Sequence, residues 1–272
     1  MIKNPYAIRS KDVDPKLKQQ LIDQAQYIQE NASLYLEFSS IPLNGNGKIV
    51  TTFNLKKSHS KKIYFSNYDS VKASVKSEKH IGILISCSHR RAGGGWLSGS
   101  LAQEESVSRS STWAVQAGLP QFAEWYNPYK KDHWLGQKGS LVIDGLLVFD
   151  EKHKELKHHK HVIFAGIAAA NKGALQNDDY WESNIGVQKR QEFLIHNLVC
   201  AIDEFYKRGV SEIILCAFGT NVFGWKFEES IKVLHEASKF VPDSLKLTCA
   251  VCSIEQAALA KTIYENLIKE EV

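Results

Sequence analysis

The segment Gly93–Glu105, which reads GGGWLSGSLAQEE, decides the fold prediction. It follows an apolar run, Ile81–Cys87, that is typical of a buried β-strand. Three consecutive glycines allow positive φ angles and let bare backbone approach a ligand closely. Gln103-Glu104-Glu105 then opens a helical pattern, Ala102–Ala117. Strand, glycine loop and helix start can place backbone donors and carboxylates around one ligand. The segment therefore predicts a site for a nucleotide or a related anionic, sugar-bearing molecule.

The glycine triplet, short spacer and Gln-Glu-Glu triplet resemble the signature of the poly(ADP-ribose) glycohydrolase family of macrodomains, most closely its microbial-type members. Three further stretches resemble that family in the same order along the chain: Ser110–Thr112, Ala168–Asn171 and Cys216–Gly224. Alanine stands in the second of these where the family has proline. The detailed resemblance covers roughly residues 80–255. It implies a macrodomain that binds ADP-ribose between two glycine-bearing loops.

The resemblance also implies residue roles. Glu105 is expected to be the general acid/base and Glu104 to orient the ribose. Neighbouring helical residues point about 100° apart, so these two carboxylates cannot flank one bond, and one must do the chemistry while the other positions the sugar. The expected ligand-binding residues are Gly93, Gly94, Gly95, Gln103, Gly219, Thr220, Asn221, Val222, Phe223 and Gly224.

Two positions depart from the family pattern. Members usually carry an asparagine, which helps to hold the distal ribose, at the end of the strand before the glycine triplet. Here Ser86–Ala92 reads SCSHRRA and contains none. Asn221 stands where the second loop usually has its second glycine, although asparagine tolerates the left-handed region better than other side chains do. The first departure leaves the exact substrate open.

The pattern along the chain predicts an α/β fold, specifically a three-layer α/β/α macrodomain with a mixed, largely parallel sheet and an N-terminal helical extension. Residues 1–75 are expected to form that extension, packed on a catalytic core of residues 76–272. Predicted strands are Lys48–Phe53, Ile81–Cys87, Leu141–Phe149, His161–Ala169, Val210–Phe218 and Leu245–Cys252. Predicted helices run from Asp14 to about Glu30, over Ala102–Ala117, Val187–Lys207 and Phe227–Phe240, and from a capping box at Ser253.

Composition limits the class of protein. The chain has 272 residues, 43% of them hydrophobic and 24% charged, as in a soluble globular domain. A net charge of +4 suits an anionic ligand but is too small for a nucleic-acid-binding surface. No apolar run approaches the ~20 residues that a membrane span needs. The start of the chain lacks the apolar stretch of a signal peptide. Together with an odd cysteine count, these features predict a cytoplasmic protein.

Neither a metal nor a cofactor is expected. Cys249 and Cys252 form a C-x-x-C pair, but strand alternation would direct them to opposite faces, and no second pair accompanies them. The run Lys152–His161 contains four histidines between two predicted strands. No set of carboxylates or cysteines completes a ligand shell there, so a solvated connection is expected. Trp96 and Trp225 are expected to pack in ordinary hydrophobic contacts, and Phe218 to belong to the core.

Two functions remain open at this stage. The first is a glycosidase that hydrolyses ADP-ribose linkages, either in poly(ADP-ribose) or on a mono-ADP-ribosylated protein or nucleotide. The second is a reader that binds ADP-ribose without cleaving it. The intact Gln103-Glu104-Glu105 favours the enzyme, because a reader has no need for two acids beside an anionic ligand. The expected partners are ADP-ribose or poly(ADP-ribose) and ADP-ribosylated protein, with no membrane and no sequence-specific nucleic acid, and a monomer is expected.

Overall fold

The computed structural model describes residues 10–126 and 134–271, except for the side chains of Ser10 and Asn221. Seven strands form one sheet: β1 Lys48–Val50, β2 Ile63–Ser66, β3 Ile81–Ser86, β4 Ser140–Phe149, β5 Glu155–Ile167, β6 Glu212–Leu215 and β7 Lys246–Ala250. Eight α-helices accompany them in the described ranges: α1 Pro15–Phe38, α2 Ser70–Lys76, α3 Gln103–Ser110, α4 Trp113–Ala117, α5 Asp178–Glu182, α6 Asn184–Lys207, α7 Phe227–Ser238 and α8 Ile254–Lys269. None of these helices combines the length and apolarity that a bilayer crossing requires.

The sheet is mixed and largely parallel, as predicted. Its strand order is β1-β4-β5-β3-β6-β7-β2. The five strands from β5 to β2 pair in parallel, while β4 pairs antiparallel with both β5 and β1. Both edge strands, β1 and β2, come from the first 75 residues, so this part of the chain contributes to the sheet as well as a helix. The boundary at residue 75 stays a prediction.

Helices cover both faces of the sheet, which gives the expected three layers. Residues of β3 alternate between the faces, as strand geometry requires. Ile81, Ile83 and Ile85 join a hydrophobic cluster with α1, α3 and α4, whereas Leu84 joins a second cluster with α6, α7 and α8. In α1 the buried residues recur every three or four positions, at Leu21, Ala25, Ile28, Ala32 and Leu36. This spacing is the apolar stripe of a helix that lies on a sheet.

Helix ends agree with their sequence signals. Asp14 caps α1 by accepting hydrogen bonds from the backbone N–H groups of Lys16 and Leu17, at 3.0 and 3.1 Å. Ser253 caps α8 by accepting from Gln256 N at 3.1 Å, as the capping box predicts. Helix α1 extends to Phe38, eight residues beyond the predicted end. Strand β2, of four residues, and helix α2, of seven, were not predicted, because segments this short carry little periodicity.

The predicted single helix over residues 102–117 is wrong. It divides into α3 and α4 at Ser111, which has an extended conformation with φ −151°. Thr112 N donates to Leu146 O at 3.0 Å, and Leu146 N donates to Thr112 Oγ1 at 3.0 Å, so this point of the chain bonds to β4. Ser111 Oγ donates to Val107 O at 2.6 Å. Serine and threonine side chains that bond to backbone in this way compete with helix hydrogen bonds.

The predicted solvated connection at residues 152–161 is also wrong for most of its length, because β5 begins at Glu155. The true connection is a tight turn in which Asp150 N donates to Lys154 O at 3.0 Å. Asp150 Oδ1 accepts from the backbone N–H groups of Lys152 and Lys154, both at 2.9 Å. Lysine and histidine rarely favour strands, and here pairing with β4 overrides that preference.

One buried ion pair joins α6 to α7. Arg190 and Glu229 form a bidentate pair, with Nε–Oε1 at 2.7 Å and Nη2–Oε2 at 3.0 Å. Their side chains are 2% and 8% exposed. The guanidinium carbon lies 4.2 Å from the ring centroid of Trp181 and 5.6 Å from that of Trp225. The pair therefore supports the aromatic side chains beneath the segment that follows β6.

We predict that Glu229→Gln lowers the free energy of unfolding by about 3–5 kcal/mol, because it leaves the Arg190 charge buried without its partner. Urea denaturation of both proteins measures the difference. Glu228→Gln is the matched control: Glu228 is exposed in the same helical turn, so its change should stay within about 0.5 kcal/mol. Equal small effects for both variants would mean that the pair contributes nothing to stability.

Candidate active site

Three segments that carry predicted site residues meet at one edge of the sheet. Strand β3 lies between β5 and β6 and is parallel to both, with Ser86 opposite Ile167 and Ile83 opposite Ile214. The segments that follow these strands therefore emerge together at their carboxyl ends, where α/β proteins bind ligands. We call residues 87–102 the first loop and residues 216–226 the second loop. Residues 168–171 follow β5 and lie beside the second loop, since Trp225 Nε1 donates to Ala170 O at 2.8 Å.

The first two glycines of the triplet have the left-handed backbone that the sequence predicts, whereas Gly95 has φ −99°. Gly93 has φ 70° and Gly94 has φ 56°. A Cβ atom added at Gly94 would lie 2.5 Å from Glu105 Oε1 and 3.0 Å from Glu104 Oε2. The bare Cα of Gly94 thus lies directly against both carboxylates. Only glycine provides this approach without a clash or backbone strain.

Gln103 connects the start of α3 to β3. Its side-chain Oε1 accepts from Ser86 N at 2.9 Å, and its Nε2 donates to Leu84 O at 2.9 Å. Both ends of the amide thereby continue the hydrogen bonding of a strand in the middle of the sheet. These contacts give Gln103 a positioning role. A direct contact between Gln103 and a ligand stays a prediction.

The two glutamates differ in burial and in their partners. Glu104 is 3% exposed, and its Oε2 accepts from Ser88 N at 2.6 Å. Glu105 is half-buried, and its Oε1 accepts from Gly95 N at 2.9 Å. One carboxylate therefore points towards the end of β3 and the other towards the glycine triplet. This divergence is the one that helix geometry predicts for adjacent residues.

The interior beside Glu104 disfavours negative charge. Burial, and then the nearby charge of Glu105, raise the pKa of Glu104 well above its ordinary value. Burial and the neighbouring Glu104 likewise raise the pKa of the Cys87 thiol. The pKa of Tyr126 is raised by burial and then by Cys87 and Glu104. The raised pKa favours the protonated form of this carboxyl group, which can donate a hydrogen bond, whereas a carboxylate can only accept one.

The second loop packs against the indole ring of Trp225. A Cβ atom at Gly219 would lie 2.5 Å from Trp225 Cδ1, so Gly219 packs directly on that ring. Thr220 Oγ1 donates to Ala217 O at 2.9 Å. Val222 is 49% exposed, and Phe223 is half-buried against the core. The side chain of Asn221 lies outside the described residues. Contacts between this loop and a ligand stay predictions.

Gly224, the last predicted residue of the second loop, faces a lysine. A Cβ atom there would lie 2.8 Å from Lys172 Cβ. Lys172 Nζ lies 3.5 Å from Glu182 Oε1, so this lysine links the loop to α5. Sequence reasoning did not single out Lys172, because a lone lysine after a strand carries no pattern. The packing predictions for three aromatic residues are confirmed: Phe218 is 0% exposed, and Trp96 and Trp225 are each 5% exposed.

Sequence reasoning also missed the groups that hold Glu104. Its partner is the backbone N–H of Ser88, and a backbone donor has no signature in the sequence. Cys87 and Tyr126 come close to it only through folding. In the sequence, residues 86–92 stand out only because they lack the asparagine. In the structure, this stretch supplies the backbone N–H of Ser88 and the buried thiol of Cys87, both beside the buried Glu104.

Among the described residues, one cluster has the spacing of a metal site, and none of its members belongs to either loop. It comprises His235, Glu236 and Glu271. Lys239 forms ion pairs with both of these glutamates, and His235 Nε2 lies 2.8 Å from Glu271 Oε1. The hydrogen bonds of Lys239 and His235 lower the pKa of Glu271 to about 2. Lys57 Nζ lies 3.2 Å from Glu236 Oε2, so the two ammonium groups balance the two carboxylates of this cluster. The cluster closes the end of α8 against α7.

The raised pKa of Glu104 predicts a pH-dependent effect on stability. Above its unfolded value of 4.5, the folded protein holds a proton that the unfolded chain releases, so stability falls as pH rises. Glu104→Gln removes this titration and keeps an oxygen acceptor for Ser88 N. We expect a higher thermal unfolding temperature than wild type at pH 7, with a gain that shrinks as pH falls towards 4.5. Glu124→Gln, at an exposed position, should show no such trend. A loss of stability at pH 7, or a gain independent of pH, would contradict the burial argument.

Comparison with known proteins finds one family whose model matches part of the chain. Residues 10–141, just under half of the chain, match the family described as microbial-type PARG, catalytic domain. This stretch contains the glycine triplet and Gln103-Glu104-Glu105. No curated protein matches the sequence significantly. The matched stretch is longer at its N-terminal end than the resemblance seen in the sequence, since it includes α1 and both edge strands.

Solved structures share the fold over nearly the whole chain. The crystal structure of poly(ADP-ribose) glycohydrolase from Thermomonospora curvata has a TM-score of 0.70 and 15% identity, covering 92% of this chain and 98% of that one. A structure of the same enzyme bound to the inhibitor ADP-HPD has a TM-score of 0.70 and 16% identity, with the same coverage. The Deinococcus radiodurans enzyme in complex with ADP-ribose has a TM-score of 0.63 and 14% identity, covering 94% of each chain. Residues 10–141 thus resemble the catalytic domain of microbial-type poly(ADP-ribose) glycohydrolases, and nearly the whole chain shares the fold of the solved enzymes.

Proposed function

We propose that the protein is a glycosidase that hydrolyses ADP-ribose linkages, with poly(ADP-ribose) as its substrate. One observation carries the proposal: two adjacent carboxyl groups in unlike environments face the bare backbone of Gly94. The match of residues 10–141 to a family described by its catalytic domain supports it. So do the complexes of similarly folded enzymes with ADP-ribose and with ADP-HPD.

Glu105 is the acid/base in this proposal. Cleavage of a ribose–ribose O-glycosidic bond needs a proton on the leaving oxygen and a base for the incoming water. Glu105 gives its proton to that oxygen as the bond breaks, and then accepts a proton from water as the new C–O bond forms. Gly95 N holds its Oε1, so the other oxygen remains available for this exchange. The products are free ADP-ribose and the shortened chain.

Glu104 positions the substrate. Its buried carboxyl group retains a proton more readily than an ordinary glutamate does. In that neutral form it can donate a hydrogen bond to a ribose hydroxyl while adding no second negative charge beside Glu105. The two roles follow from burial: the buried acid orients the sugar, and the half-buried acid exchanges protons at the reacting bond.

The diphosphate is proposed to lie between the two loops. The backbone N–H groups of residues 219–224 in the second loop would be the donors to the diphosphate, and the bare Cα of Gly94 would let the ligand come close to the first loop. Phe223 would pack on the distal ribose. No metal or other cofactor enters this mechanism, because amides bind the anion and a carboxyl group moves the proton.

A reader that binds ADP-ribose without cleaving it is the alternative. The low exposure of Glu104 disfavours this reading, since a buried acid with a raised pKa costs stability that simple binding does not require. The missing asparagine before the glycine triplet keeps mono-ADP-ribosylated protein or nucleotide as further substrates. We also propose a cytoplasmic monomer, which the five unpaired cysteines support.

Glu105→Gln tests the chemistry. Glutamine keeps an oxygen acceptor for Gly95 N but cannot exchange protons, so turnover should fall by roughly 10² to 10⁴-fold. Affinity for ADP-ribose should change little. The assay follows release of free ADP-ribose from automodified poly(ADP-ribose). Glu104→Gln resembles the protonated carboxyl group and should retain more activity than Glu105→Gln does. The reverse order of activities would exchange the two roles, and near-normal turnover in both would remove both residues from the chemistry. Binding of ADP-ribose by wild type without any turnover would favour the reader.

Gly94→Ala tests the binding geometry. Its methyl group would fill the space beside both carboxylates, in a backbone conformation that side chains rarely adopt. ADP-ribose affinity measured by calorimetry should fall more than about tenfold, while thermal unfolding stays cooperative. Gly209→Ala is the matched control. Gly209 has φ 71°, and nothing lies within 4 Å of its added Cβ, so it carries the same strain without the contact. Equal affinities in both variants would remove Gly94 from the site.

A further inference from the structure

A cavity lies near the C-terminal end of α3, whereas the two glutamates lie at the start of that helix. Its volume is about 340 Å³. Helix α1 lines it with Gln24 and Tyr27, α3 with Arg109, and the β4–β5 turn region with Phe149 and His153. None of the predicted site residues lines it. Its volume lies at the lower end of the range for small-molecule sites.

Arg109 is a buried cation at this cavity. It is 1% exposed, and its Nη1 donates to Ser100 O at 2.9 Å. Its Nε has no hydrogen-bond partner, and the described part of the chain offers it no ion pair. Burial lowers the pKa of Arg109 to about 10, which leaves it charged at neutral pH. A guanidinium group has five N–H donors, and a buried charge without an anion is costly.

Two more polar groups at the cavity are buried without partners. Gln24 Oε1 and His153 Nδ1 each lack a hydrogen bond. Burial, and then the charge of Arg109, lower the pKa of His153 to about 4, so its imidazole is neutral at pH 7. His153 also has φ 57°, a left-handed conformation that costs free energy for a side-chain-bearing residue. Strain and unpaired polar groups at one place indicate a site that a ligand completes.

The residues that line the cavity limit the class of ligand that it can bind. Tyr27 and Phe149 meet edge to face, with ring centroids 5.9 Å apart, and form an aromatic side. Asp23 and Glu155 are exposed residues of the lining, and their negative charges repel phosphates and other multiply charged anions. With His153 neutral, Arg109 supplies the single positive charge. This combination fits one carboxylate attached to a flat apolar body.

We propose that this cavity binds a small aromatic monocarboxylate. Its carboxylate pairs with the Arg109 guanidinium and its ring packs against Tyr27 and Phe149. Arginine and carboxylate form strong charge-assisted hydrogen bonds of matched geometry. None of the predicted active-site residues lines this cavity, although the charge of Glu105 also acts on Arg109. The proposal does not depend on the function assigned to the active site.

Calorimetry with the full chain tests the proposal, with benzoate as the probe. Saturable binding of one benzoate per chain is expected. Benzamide, which has the same shape without the charge, should bind at least about tenfold more weakly. Inorganic phosphate should bind more weakly than benzoate does. Absence of saturable benzoate binding, equal binding of benzamide, or tighter binding of phosphate would each overturn the proposal.

Gln24→Glu supplies the sharper test. It places a carboxylate of the protein itself at the cavity, where it satisfies Arg109 and repels the ligand. Benzoate affinity should fall at least about tenfold, while the thermal unfolding temperature is kept or raised. Gln20→Glu is the matched control, with the same charge change at an exposed position of α1 outside the cavity lining. ADP-ribose should not displace benzoate from wild type. An equal loss of benzoate binding in both variants, or displacement by ADP-ribose, would place benzoate elsewhere and overturn the assignment.

Discussion

The attachment of the start of α3 to the end of β3 is the constraint on which the site depends. Three consecutive side chains accept hydrogen bonds from backbone N–H groups: Gln103 from Ser86, Glu104 from Ser88 and Glu105 from Gly95. A strand that ends in a loop leaves such donors without partners, and buried donors must be satisfied. The side-chain oxygens of these three residues at the start of α3 accept the hydrogen bonds of those donors. The same contacts that close the fold therefore also fix the positions of the reacting groups.

The two glutamates acquire unlike properties from this one attachment. A helix rotates about 100° per residue, so adjacent side chains cannot share an environment. Glu104 points into the interior beside Cys87, where burial disfavours its charged form. Glu105 stays half-buried beside the glycine triplet. A single pair of identical residues thereby provides two carboxyl groups in unlike environments, which is the basis of the two roles proposed for them.

The sequence predicted the fold well where apolar runs and caps are strong. Strands β3, β4 and β7, helices α6 and α7 and the cap at Ser253 carry their own patterns, and each formed close to its predicted bounds. The failures arose where tertiary contacts override local preference. Thr112 bonds to β4 and interrupts a helical pattern, and β4 draws the lysine- and histidine-rich residues after Glu155 into a strand. Neither effect is local, so periodicity could not reveal it.

The site was predictable to a similar degree and for a related reason. Glycines with positive φ and acids at a helix start leave traces in the sequence, and Gly93, Gly94, Glu104 and Glu105 were found from them. Backbone donors such as Ser88 N leave none. The environment of Glu104 depends on which side chains surround it after folding, so its raised pKa could not be read from the order of residues.

The two loops are held by different kinds of interaction, so substitutions near them have different effects on loop shape. The second loop rests on an indole ring: Gly219 packs on Trp225, and Trp225 lies against the Arg190–Glu229 pair. Its support is therefore separate from the groups proposed to do chemistry. The first loop is held by Glu105 itself, through Gly95 N. Any substitution of Glu105 that loses the acceptor changes both the proton exchange and the shape of the loop. Only glutamine separates the two effects, because it retains the oxygen and lacks the titratable proton.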